Sequence, residues 1–95
     1  MKNNILKQAQ QLQAKLLEQL RAMKVEGNAG GGMVKIEMDG EQNVLSVKIE
    51  PQIIEEKDTA MLEDLIVAAF NDAKKQIAEK TQESFKSITG FPLPM

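Results

Sequence analysis

Histidine, cysteine, tryptophan and tyrosine are all absent from this chain of 95 residues. The lack of histidine removes the usual general base, the commonest metal ligand and the side chain that titrates near neutral pH. Without cysteine there is no disulfide framework and no thiolate chemistry, and a reducing compartment is compatible. Three phenylalanines are the only aromatic residues, and at largely apolar positions they make poor stacking platforms for single-stranded nucleic acid. No apolar run approaches the roughly 20 residues of a membrane span, and no signal-peptide pattern opens the chain. At this length the chain forms one domain at most. The expectation is a soluble, cytoplasmic protein with no membrane partner, no small-molecule substrate, no cofactor and no metal.

What the chain does carry is an uneven charge. Its formal net charge is −2. Residues 1–24 hold five basic side chains against one acid, a balance of +4; residues 25–73 hold three lysines against eleven acids, a balance of −8. Residues 74–95 return to +2, with four lysines against two acids. An acidic chain ordinarily argues against nucleic acid, but here two basic ends flank an acidic middle.

Between Asn3 and Met23 the apolar residues Ile5, Ala9, Leu12, Leu16, Leu20 and Met23 recur at helical steps, with Leu6 and Leu17 widening the stripe. This spacing predicts a helix over about 3–25, with Lys7, Lys15 and Arg21 on the opposite side and Gly27 as terminator. Gly30-Gly31-Gly32 then reads as a hinge onto a sheet, because glycine adopts backbone angles closed to other residues. A phosphate-cradling loop would need Gly-Lys-Ser/Thr and a following helix, and Met33 follows instead. Alternation predicts strands over about 33–39 (Val34, Ile36, Met38 inward) and 44–50 (Leu45, Val47, Ile49 inward), joined by a turn from Asp39-Gly40 to Asn43. Pro51 ends or bends the second strand, and Ile53-Ile54 either adds a short third strand or plugs the core. Asp58 or Thr59 caps a helix over about 58–88, whose stripe is Leu62, Leu65, Ile66, Ala69, Phe70, Ala73 and Ile77. Gly90 and Pro92 stop it, and 91–95 reads as a flexible tail. The fold class is therefore α+β: a long helix, an antiparallel hairpin or three-stranded sheet, and a second long helix, in a single domain over 1–90.

Helices of about 20 and 30 residues span roughly 30 and 45 Å, whereas strands of about seven residues reach only about 23 Å. One small sheet cannot cover two apolar stripes of that length. Self-association is the expected solution, through a dimer interface rich in Leu12, Leu16, Val34, Ile36, Leu65, Ile66 and Phe70.

Catalysis finds little support. Glu63 and Asp64 point about 100° apart on a helix, no histidine or cysteine completes a site, and early-helix acids suit the helix dipole. Asp39-Gly40-Glu41 lacks the ligand-bearing loop of a calcium site. A scaffold for partner helices and a DNA-binding protein remain as alternatives. The first helix begins far from the sheet and the last helix ends far from it. If they run antiparallel, Lys2 and Lys7 converge with Lys80 and Lys86 at one tip; Lys15, Arg21 and Lys75 extend the basic surface. One arginine and no helix-turn-helix spacing leave the glutamines of the first helix as the only base readers, so duplex backbone is the expected target.

Two segments carry a family resemblance: Asn28-Ala29-Gly30-Gly31-Gly32-Met33-Val34-Lys35-Ile36, and Leu62 through Ala73 with the sequence LEDLIVAAFNDA. The second is the more specific. With the closing Gly90-Phe91-Pro92, the chain resembles the YbaB/EbfC family of small bacterial nucleoid-associated proteins over nearly its whole length. That resemblance implies an intertwined, tweezer-like homodimer with helical arms that binds double-stranded DNA in the nucleoid. It favours DNA binding, with a role in nucleoid organisation or gene regulation, over a scaffold or adaptor in DNA replication or recombination repair.

Overall fold

The structure, a computed structural model, describes residues 2–89 and the side chains of 4–86. The expected helix stop at Gly90 and Pro92 and the tail 91–95 lie outside the described residues. Six elements follow one another: α1 (Lys2–Ala22), β1 (Lys24–Ala29), β2 (Val34–Asp39), β3 (Val44–Ile49), α2 (Pro51–Glu56) and α3 (Thr59–Thr89). The strands form one antiparallel sheet in the order β1-β2-β3.

The third strand is β1, where the sequence reading continued the first helix to about residue 25. In β1, Val25 and Gly27 face the core while Lys24, Glu26 and Asn28 face solvent, a period of two. Glycine and asparagine are poor helix residues, and as strand the segment pairs along its whole length with β2, from Lys24↔Asp39 to Ala29↔Val34. Gly27 is therefore a buried strand residue and not a helix terminator. The glycine run accordingly turns one strand into the next, with φ of +62°, +69° and +92° at Gly30, Gly31 and Gly32. Ile53 plugs the core from α2, a short helix that the alternation rule does not reveal and that opens on Pro51.

Helix α3 lies across β1 and β2. Its row Ala69, Ala73, Ile77 is buried against Val25, Val34, Ile36 and Met38, and Leu62, Leu65, Ile66 and Phe70 pack around that core. At Gly27 the approach is backbone to backbone: a Cβ there would overlap the Ala69 carbonyl oxygen and the Ala73 amide. Asp72 and Gln76, one turn apart, then close the free edge of β1. Asp72 Oδ2 accepts the Asn28 N–H at 3.1 Å, and Gln76 Nε2 donates to the Glu26 carbonyl at 2.9 Å. The N-terminus of α3 is capped by Asp58, whose Oδ1 accepts the Met61 N–H at 3.0 Å.

Helix α1 is rooted on the β2–β3 turn. Asp39 Oδ1 accepts the N–H groups of Glu41 (2.9 Å) and Asn43 (3.0 Å), which holds the turn shut. The Gly40 N–H donates to the Leu20 and Met23 carbonyls at 2.9 and 3.1 Å, satisfying the end of α1. Beyond that root α1 leaves the body of the protein. The radius of gyration is 18.0 Å, against about 12 Å for a compact chain of this length, and the longest extent is 66 Å.

Two outcomes check these contacts. Gly27→Ala should destabilise at or beyond the upper end of the ~1–3 kcal/mol typical of overpacking, because backbone atoms of α3 must move. Gly31→Ala meets open space and should cost only the ~1–2 kcal/mol of a left-handed residue with a Cβ. Equal unfolding midpoints in urea would contradict the close helix–strand contact. For Asp39, the Asn43 backbone N–H is the main influence, aided by the Asn43 side chain and the Glu41 N–H and opposed by desolvation; the carboxyl is held below its ordinary value. A group lowered by folding stabilises fully above its unfolded value of about 4 and loses that contribution as pH falls through the folded value. The gap in melting temperature between the parent and Asp39→Ala should therefore be widest near neutrality and close below about pH 4. A gap independent of pH would show that the carboxylate does not hold the turn.

Candidate nucleic-acid interface

The basic side chains expected to bind DNA are distributed between two helices with different surroundings. On α1, Lys7 and Lys15 are exposed, and the side chain of Lys2 lies outside the described residues. Arg21, one turn from the sheet, pairs with Glu41 of the β2–β3 turn at 3.2 Å and remains largely exposed. On α3, Lys75, Lys80 and Lys86 are exposed. Among the described residues no ion pair engages any of these lysines. Lys74, not among the expected contacts, sits 5.9 Å from the centroid of the Phe70 ring, so part of its reach is spent along the protein surface.

Helices α1 and α3 flank one another near the root of α1. There an open cleft of about 560 Å³ is lined by Gln19, Ala22 and Met23 on one side and by Lys80, Glu83 and Ser84 on the other. Lys80 is thus beside the base of α1 and not at a shared tip. From Gln19, α1 runs back to Lys2 over roughly 25 Å, while α3 continues from Lys80 to Thr89 for only about 14 Å, at 1.5 Å per residue. The two helix ends do not coincide. Cations are staggered along the arm instead, with Lys80 at the base and Lys7 toward the far end.

Acids are sparse along the arm, where Glu18 lies on α1 and Glu79 and Glu83 flank Lys80 on α3, and they cluster at the other end. Glu50, Glu55 and Glu56 belong to α2 or its cap, and Asp58, Glu63 and Asp64 to the start of α3, at the end of the sheet remote from α1. Segregation of this kind gives an elongated molecule a positive arm and a negative base despite its net charge of −2.

Apolar surface is left uncovered in the same pattern. On α1, Ile5 is 68% and Leu12 46% exposed, and Leu16 is half-buried. Among the described residues strand β3 has no strand on its outer edge, and Val47, opposite the buried Ile36, is 47% exposed because α3 packs chiefly on β1 and β2. Val34 and Ile36, expected at a dimer interface, are instead fully buried in the core of the single chain and have no surface to offer a second one. Leu65, Ile66 and Phe70 are half-buried around that same core. Val44 and Val47 were not among the expected interface residues. Val47 was expected inward, but Leu45 was expected there rather than Val44: a register shift at Glu37/Met38 pairs Val44 with Met38, and neither the shift nor the strand that α3 would leave uncovered was legible. No helix among the described residues is long and apolar enough to cross a membrane.

Comparison with known proteins agrees with this architecture. A solved structure of an uncharacterized protein from Helicobacter pylori superposes with a TM-score of 0.77, covering 90% of each chain at 20% identity, which establishes the shared fold. In sequence the chain is 47% identical to a nucleoid-associated protein of Rhodospirillum rubrum, covering 95% of this chain and 89% of that one. It is 46% identical to a nucleoid-associated protein of Dictyoglomus turgidum, covering 94% and 86% respectively. The YbaB/EbfC DNA-binding family matches residues 1–91. Helix, three-stranded sheet and long helix, together with this match along nearly the whole sequence, identify the chain as a member of the YbaB/EbfC family.

Proposed function

We propose that the protein is a nucleoid-associated DNA-binding protein that holds duplex DNA as a homodimer, chiefly by its phosphate backbone. The observation that carries this reading is the α1 arm, which projects from the sheet with Lys7 and Lys15 exposed and, among the described residues, engaged in no ion pair. Lys2, Lys7 and Lys15 on α1 and Lys75, Lys80 and Lys86 on α3 supply the cations. Arg21 contributes less directly, since Glu41 shares its charge. The acidic base of the molecule repels phosphate and orients the duplex toward the arms.

Dimerisation follows from the uncovered apolar surface. Leu12 and Leu16 on α1 and Val44 and Val47 on β3 need a partner, and the open β3 edge suits a second copy of itself. Two arms held in one dimer bring the cations of both chains to one duplex. Base reading is weak in this scheme, because backbone contacts position a protein without specifying sequence. The nucleoid is then the site of action, in organisation of the chromosome or regulation of genes. The alternative is a protein–protein scaffold in replication or recombination repair, for which the same exposed faces would serve.

The dimer is checked by light scattering at micromolar concentration, which should give twice the 10.5 kDa of one chain. Val47→Glu should shift that mass toward the monomer, and an unaltered mass would exclude the β3 edge from the interface. DNA binding is checked by a salt series. Affinity should fall linearly in log–log form with a slope of about −0.9 per phosphate contact, or about −4 to −5 for four to six contacts. Changing Lys7 and Lys80 to glutamate together should weaken binding to all duplex sequences about equally while leaving the dimer intact. If that double variant binds duplex at low salt as well as the parent does, the basic-arm mechanism fails and the scaffold reading replaces it.

A further inference from the structure

An apolar pocket of about 220 Å³ opens between α2 and the start of α3, lined by Ile53, Ile54, Lys57, Asp58, Thr59 and Leu62. Ile53 forms its floor and is buried, whereas Ile54 at the rim is 55% exposed. Its volume lies below the roughly 300–1,000 Å³ of small-molecule sites and suits one or two side chains of a protein partner. Residues 50–64 around it hold six acids (Glu50, Glu55, Glu56, Asp58, Glu63, Asp64) against the single Lys57. Asp58 is engaged through Oδ1 in capping α3, but Glu50, Glu55, Glu56 and Glu63 are exposed, and no ion pair satisfies them among the described residues. The pocket therefore calls for an apolar side chain on a basic segment.

The same chain presents such a segment. Near the far end of α1, Ile5 and Leu6 are 68% and 61% exposed, Lys7 follows, and no acid precedes Glu18. That tip and the pocket lie at opposite ends of a molecule 66 Å long, so a chain cannot fill its own pocket. We propose that the α1 tip of one molecule docks Ile5 or Leu6 into the α2–α3 pocket of another, with Lys7 against the acidic rim. The contact is heterologous, joining two different surfaces, and a heterologous contact that does not close on itself builds open chains. It is distinct from the isologous dimer and adds to it. Lys7 also belongs to the phosphate footprint, so duplex DNA competes for the tip; that competition rests on the DNA reading above, whereas the docking itself does not.

Sedimentation equilibrium of the full chain at low salt provides the test. The parent should exceed dimer mass as concentration rises. Ile5→Asp, which disables the tip, and Ile54→Lys, which disables the pocket, should each remain at dimer mass, with association weakened about tenfold or more by the lost apolar burial and the charge clash. Mixing the two variants pairs an intact tip with an intact pocket and should restore species heavier than the dimer. The proposal is overturned by a parent that stays at dimer mass, by a mixture as inert as its components, or by Ile54→Lys dissociating the dimer into monomers, which would assign the pocket to the dimer interface. Excess duplex should dissolve the larger species. Their persistence with DNA bound would overturn the competition and leave the docking in place. The DNA reading stands or falls separately, on the salt series.

Discussion

The contact between α3 and β1 is the constraint on which the rest of the structure depends. Small residues make it possible: Ala69 and Ala73 on the helix and Gly27 on the strand bring two backbones together where larger side chains would hold them apart. That approach aligns α3 along the sheet, lowers Ile77 onto Val25 and Met38, and seats Ala69 against Val34 and Ile36. It also brings Asp72 and Gln76 within hydrogen-bonding distance of the β1 backbone, so the edge strand is sealed by side chains rather than by another strand.

The same placement leaves the rest of the sheet open. A helix centred on β1 and β2 cannot also cover β3, and Val44 and Val47 stay exposed beside a strand edge that is unpaired among the described residues. Asymmetric cover of this kind gives a small chain both a closed core and an exposed apolar face. At the other end, α1 is held at its base, by Gly40, the Arg21–Glu41 pair and the Asp39 turn. Its remaining length is free to carry charge outward. Arm and base have opposite signs because the basic residues lie at the two chain ends and the acids between them, and the fold keeps those regions apart.

Seen this way, a net acidic chain is no obstacle to nucleic-acid binding. Electrostatic attraction acts over about one Debye length, near 8 Å at physiological ionic strength, and the molecule is 66 Å long. A phosphate at the arm responds to the nearby lysines much more than to the acids around α2.

Much of the fold was legible in the residues. The stripe from Leu62 to Ile77 has the helical period, the alternation of β2 assigns Val34, Ile36 and Met38 inward, and Asp58 sits where a cap is needed. Those features are local, set by side-chain spacing along a single element. What was misread depended on contacts between elements. Val25 and Gly27 are too few to announce a strand, and β1 exists because β2 offers a full register and α3 covers its face. The glycine run showed that the backbone would adopt positive φ, and only pairing decided that it joins two strands. Likewise the sequence by itself determined where the charges and apolar stripes fall along each helix. Which stripes remain bare, which lysines stand at the base or far end of the arm, and which valines stay exposed were decided by tertiary structure alone, because burial depends on what packs opposite a residue.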